Sequence, residues 1–166
     1  MVRILGSIVG VLAFLTLVQP ANAEDAPSSI VGFWKMASFT SKVVETGETR
    51  LNFGEHPGGY TAFSRNGNFV HLVVKDSRKA PAGADLTDAE RAELFKTMAA
   101  FSGTYKVEGN KIIFHYEASW IQSRTGTNET RTFEISGGKL MVSSAPIKSG
   151  LDGKQVVNTW TLERIE

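Results

Sequence analysis

From Ile30 onward the chain is a series of short apolar stretches cut by turn signals, and this rhythm limits its possible folds. The clearest instance is GGYTAFSRNGNFVHLVVK, where two runs of strand-forming residues flank Arg65-Asn66-Gly67. Asn-Gly between such runs is the strongest short-range hairpin signal, because both residues tolerate the positive φ of a tight turn. Similar breaks stand at Glu108-Gly109-Asn110, Gly137-Gly138 and Asp152-Gly153. Eight strands are predicted, at 31–44, 58–64, 68–75, 102–108, 111–120, 128–136, 139–144 and 154–165.

One segment departs from the rhythm. LTDAERAELFKTMAAF has helical spacing, with Ala92, Phe95, Met98, Ala99 and Phe101 near one stripe. Thr87 followed by Glu90 forms a capping box, which starts the helix there. An α/β fold needs helices between most strands, and here a single helix falls between the third and fourth. The expected fold is therefore all-β: an eight-stranded antiparallel up-and-down β-barrel with one helix between the third and fourth strands. A closed ring leaves no exposed edge, and eight strands enclose either packed side chains or one small ligand. A two-sheet sandwich is the alternative that hairpins alone leave open.

The first 23 residues do not share this pattern. Arg3 precedes an uncharged apolar run from Ile4 to Val18, Pro20 breaks it, and Ala21-Asn22-Ala23 supplies the small residues of a cleavage site. This is the form of a secretory signal peptide cleaved after Ala23, with the run short for a membrane span. The expected domain is then 24–166, in a periplasmic or secreted protein with no stable membrane anchor in its mature form. The sequence contains no Cys, so its core must hold without disulfides. The 18 Lys and Arg against 17 Asp and Glu balance once Arg3 is removed. A neutral balance argues against nucleic acid or an anionic membrane as a partner. A monomer is expected.

Two residues far apart in the chain favour the barrel over the sandwich. Trp34 lies in a G-x-W near the start, and Arg164 lies in TWTLERI near the end. A guanidinium over an indole face would tie the first strand to the last. With GFWKMASF, GYTAFSRNGNF, a helix followed by FSGTYKVEG, HYEAS and RTFEISGGKLMVS, the chain resembles the bacterial and fungal lipocalin-like domain family across 30–165. The family's Pro-Asp-Gly hairpin is replaced by Arg65-Asn66-Gly67, which preserves the turn. The resemblance implies a calycin-type barrel. It implies no single activity, because a fold of this kind hosts many.

KIIFHYEASW poses the functional question. Alternation puts Ile112, Phe114, Tyr116, Ala118 and Trp120 on one face, and His115, Glu117 and Ser119 on the other. Alternation alone sends the aromatic face inward and the polar face to water. The family-like H-x-E-x-S implies the reverse, with His115, Glu117 and Ser119 as polar anchors in an otherwise apolar lumen. His71 and Phe69 share a face on the preceding hairpin. A type I turn with a Gly bulge at 65–67 would set Phe63 opposite Phe69 and Thr61 opposite His71. Arg131 shares a face with Phe133 and Ile135, and is a candidate partner for a buried Glu117.

The ligand-binding candidates are thus His115, Glu117, Ser119, His71, Phe69, Arg131 and Phe133, for a small apolar or amphipathic molecule. An alternative is an isomerase- or cyclase-type enzyme with His115 and Glu117 as acid and base. A third possibility is a filled barrel that engages another protein. No Ser-His-Asp motif, phosphate loop or dinucleotide fingerprint occurs, so no cofactor is implied. His56, His71 and His115 lack compact ligand spacing, so no metal is implied.

Overall fold

The structure, a computed structural model, describes residues 29–166. The expected signal peptide and its cleavage point lie outside the described residues. Eight strands carry the fold: β1 (Gly32–Val43), β3 (Gly58–Phe63), β4 (Asn68–Val74), β5 (Met98–Glu108), β6 (Lys111–Ser119), β7 (Asn128–Ser136), β8 (Lys139–Ser144) and β10 (Gln155–Arg164). Two short strands, β2 (Thr49–Leu51) and β9 (Ile147–Lys148), extend β1 and β10. The ring runs β1-β3-β4-β5-β6-β7-β8-β10, and β10 pairs back on β1. Every pairing is antiparallel, and the closing one reaches from Trp34↔Arg164 to Val43↔Val156. That seam makes the molecule a closed barrel and removes the sandwich alternative.

The one α-helix among the described residues, α1 (Asp88–Lys96), needs a correction of place and of length. It follows the fourth strand in chain order, because the three-residue β2 enters the count ahead of the β3–β4 hairpin. Its capping box forms as the sequence implies. Thr87 Oγ1 accepts from Glu90 N at 3.2 Å, and Glu90 accepts from Thr87 N at 2.8 Å. The helix then stops at Lys96 and buries none of its residues. Met98, Ala99 and Phe101 leave the helical stripe and enter β5, where Ala99 pairs with Val73 and Phe101 with His71. A ladder with a partner on each side outweighs helical spacing in a segment whose helical stripe packs little beyond Phe95 on Trp120, with ring centroids 4.9 Å apart.

The two ends of the barrel are built differently. The β3–β4, β5–β6 and β7–β8 turns are tight and lie together at one end. Gly67 takes φ 78°, and the hairpin has the register the bulged turn implies, with Phe63↔Phe69 and Thr61↔His71. The same end holds the seam. Trp34 is fully buried, and its indole donates to Ile30 O at 2.9 Å. Arg164 lies 4.1 Å above that ring and donates to Val31 O at 2.8 Å and to Ser29 O. At the opposite end the connections are long, spanning 44–57, 75–97, 120–127 and 145–154. Between the ends the interior is filled with rings, including Phe69 against Phe114 at 4.8 Å and Phe63 against Tyr105 at 5.1 Å.

Candidate functional site

The strand that carries HYEAS turns its aromatic face inward. Ile112, Phe114 and Tyr116 are fully buried, whereas His115 and Glu117 are exposed. His115 Nδ1 meets Asn128 Oδ1 at 2.7 Å on the outer surface. The expectation that His115, Glu117 and Ser119 line the lumen together is therefore corrected. The cause is partly alternation and partly a β-bulge. The β5–β6 register shifts between Ser102 and Gly103, so Gly103 pairs with Tyr116, Ser102 with Ala118, and Glu117 is left over. An extra residue moves everything after it to the other face. Ser119 thus stands opposite Phe101 and is half-buried, apart from the other two. Gly103 permits the arrangement, because a Cβ there would lie 1.9 Å from His115 O.

The remaining candidates do come together. Phe69, His71 and Arg131 are buried, and Phe133 is half-buried against the core. His71 lies at the heart of this group. Its ring stacks on Phe101 at 4.5 Å and on Trp160 at 4.3 Å. Its Nδ1 meets Thr61 Oγ1 at 2.8 Å, while Nε2 has no partner among the described residues. Burial lowers the His71 pKa to about 3, with the Arg131 and Arg124 charges pushing the same way. The ring is therefore neutral at any ordinary pH.

Arg131 takes a partner other than Glu117. Its Nη2 bonds Glu129 Oε1 at 2.8 Å, and its guanidinium lies 4.1 Å above the Trp160 ring. Glu129 and Arg131 are two apart on β7, so alternation puts both on the face that carries Phe133 and Ile135. The other Glu129 oxygen accepts from Arg124 and from the Tyr116 hydroxyl. Arg124 comes from the 120–127 connection and covers the Tyr116 ring at 4.8 Å. Burial and the neighbouring Glu129 raise the Tyr116 pKa above its ordinary value, so its hydroxyl stays protonated and donates.

One carboxylate thus holds two guanidiniums and a phenol at the long-connection end. Arg131 Nε and Nη1 and Trp160 Nε1 are buried with no partner among the described residues. An orphaned buried donor costs about 1–3 kcal/mol, so three at one place, with His71 Nε2 beside them, is a concentrated imbalance. Glu129, Arg124 and Trp160 are functional candidates missed from the sequence. Glu129 was within reach, since it continues the Arg131–Phe133–Ile135 alternation by one step. Arg124 comes from a loop whose fold carries no comparable signal.

A family model described as a lipocalin-like domain matches residues 31–165. Among solved structures the chain is similar to a lipocalin-like protein from Bacteroides uniformis ATCC 8492, at 13% identity and TM-score 0.43, with 82% of this chain and 99% of that one covered. It is also similar to an uncharacterized protein from Bacteroides eggerthii DSM 20697, at 12% identity and TM-score 0.41, with 81% of this chain and 98% of that one covered. No curated protein matches.

Proposed function

Because the chain belongs to the lipocalin-like domain family, we propose that its barrel holds a small, largely apolar or amphipathic molecule at the long-connection end. The supporting observation is the stack of His71 on Phe101 and Trp160, whose edge carries buried nitrogens without partners. Rings supply area for an apolar body, and a few polar atoms fix its orientation. The deeper interior is occupied by Phe63, Phe69 and Phe114, so the ligand sits above them, among the long connections. We further propose that the protein works outside the cytoplasm, on the strength of the Arg3-to-Ala23 leader pattern. N-terminal sequencing of the exported protein should find Glu24 first.

The binding test has two arms. Protein purified from its native source is extracted with solvent and the extract read by mass spectrometry for a stoichiometric small molecule. The extracted protein is then titrated with N-phenyl-1-naphthylamine, a neutral apolar fluorophore. Saturable one-to-one uptake is expected. An empty extract together with no uptake overturns the reading.

A second reading, a barrel whose outer surface engages another protein, also has an observation in its favour. Phe33, Tyr60, Val70 and Leu72 are large apolar residues exposed on neighbouring strands, and Phe33 and Tyr60 lie 5.3 Å apart. Such a patch marks interaction surfaces on many soluble proteins. Val70→Lys would abolish an association through this face and leave fluorophore uptake unchanged.

A further inference from the structure

The long-connection end described above carries an unbalanced charge as well as unpartnered atoms. Arg124 and Arg131 bring two cations, and Glu129 brings one carboxylate. His71 adds none. Both oxygens of Glu129 are already engaged, one by Arg131 and the other by Arg124 and Tyr116. Glu129 takes one of the five N–H bonds that the Arg131 guanidinium offers. Arg131 is only 4% exposed, so water does little to satisfy the rest.

The neighbouring groups are donors too. Trp160 Nε1 can only donate, and it is buried. Ser144 faces Arg131 across the β7–β8 pairing; its oxygen accepts from Asn158 N at 3.0 Å, which leaves its proton to give. A site with surplus donors and a surplus positive charge is complementary to an oxyanion. It repels a cation and under-uses an alcohol, whose single oxygen fills few of the donors.

We propose that the long-connection end binds an amphipathic monoanion, with a carboxylate held by Arg131 beside Trp160 and an apolar body lying on the adjoining rings. The inference rests on the ligand-binding reading above and names the chemical class of its ligand. The Trp160 face stays covered by the guanidinium, which anchors Arg131 by a cation–π contact while its free N–H edge points to the ligand. Glu129 then has a second role: it orients Arg131 and limits the attraction, so that an anion can leave as well as arrive.

The test uses three probes with one ten-carbon chain and different heads: decanoate, decanol and decyltrimethylammonium. Inorganic phosphate serves as an anion without a body. Binding is followed by titration calorimetry at low salt and neutral pH. Decanoate should bind about tenfold or more tightly than decanol, and decyltrimethylammonium weakest. Arg131→Met should remove the advantage of decanoate over decanol. Glu129→Gln, which frees both guanidiniums, should tighten decanoate several-fold, and it decides the matter if Arg131→Met does not fold.

Equal affinity for decanoate and decanol, or decanoate binding indifferent to both substitutions, overturns the anion class while fluorophore uptake upholds the binding reading. Phosphate binding as tightly as decanoate overturns the amphipathic class. No binding of any probe, fluorophore included, overturns both.

Discussion

The barrel contains the same pair of residues twice. At the short-turn end Arg164 lies 4.1 Å above Trp34, and at the other end Arg131 lies 4.1 Å above Trp160. Each is a guanidinium over an indole, and each unites distant parts of the chain. What differs is the fate of the hydrogen bonds. Trp34 Nε1 gives to a carbonyl, and Arg164 gives to the carbonyls of Ser29, Val31 and Glu166. Arg131 has one carboxylate, and among the described residues two of its nitrogens have no partner, nor does Trp160 Nε1. The lesson is that residue type does not separate a structural pair from one proposed to bind a ligand. The count of satisfied donors does.

The comparison breaks if the two pairs respond alike to substitution. The largest effect should come from Trp34→Ala, which deletes a fully buried ring at the seam. A loss of about 3–5 kcal/mol is expected in urea unfolding, with ligand affinity unchanged in the fraction that remains folded. A stable Trp34→Ala protein that has lost binding would reverse the assignment of the two ends.

Next in size is Glu129→Gln. It leaves Arg131 buried without a counter-charge, and a loss of about 2–3 kcal/mol is expected, below the range for a wholly buried pair because Glu129 is 20% exposed. Decanoate at saturating concentration should restore part of that stability, since a ligand that binds only the folded state stabilises it. Restoration by decanol instead would point to the apolar body alone.

Acid should distinguish the ends by a further margin. Folded protein keeps His71 unprotonated down to about pH 3, whereas the unfolded chain takes the proton near its ordinary value of 6.5. The stabilisation from His71 is therefore complete above about pH 6.5 and is lost as pH falls toward 3, at about 1.4 kcal/mol per pH unit. Between pH 6.5 and 5 that amounts to about 2 kcal/mol. His71→Gln should flatten this part of the stability–pH curve, and an unchanged slope would show that the ring is protonated or hydrated in the folded state.

Arg164→Met removes the cation from the seam and should cost about 1 kcal/mol in the same unfolding assay, with no change in decanoate affinity. Last come His115→Phe and Glu117→Gln. Both residues are exposed, and each substitution should stay within about 0.5 kcal/mol and leave binding unaltered. A loss of binding in either would restore the outer HYEAS face as a site.

Much of the seam was legible before any coordinates. Trp34 and Arg164 stand at the expected places in the first and last strands, and Asn66-Gly67 implied the register that brings Thr61 to His71. Strand parity alone put Arg131 with Phe133 and Ile135. Strand parity placed Glu117 outside with His115 but failed just beyond it, at Ala118 and Ser119, because the bulge that shifts them is set by the opposite strand, where Gly103 admits a carbonyl that a side chain would exclude. The helix likewise overran into Met98–Phe101, since its true end depends on pairing with β4 and not on its own spacing. Alternation is a local property, and these two errors arise where a partner strand decides.

The seam has a further consequence, for the order in which the chain can fold. β1 and β10 are neighbours in the ring, yet their paired residues lie up to 130 positions apart, at Trp34 and Arg164. Every other contact in the ring is between consecutive long strands and can form as soon as both are made. Until β10 arrives, β1 and β8 present open edges on which a second molecule can pair. A long-range closure of this kind is slow, because much chain must be ordered before the contact rewards it. The last ten-residue strand, Gln155–Arg164, therefore acts as a latch: it completes two ladders at once and converts an association-prone curved sheet into a closed ring.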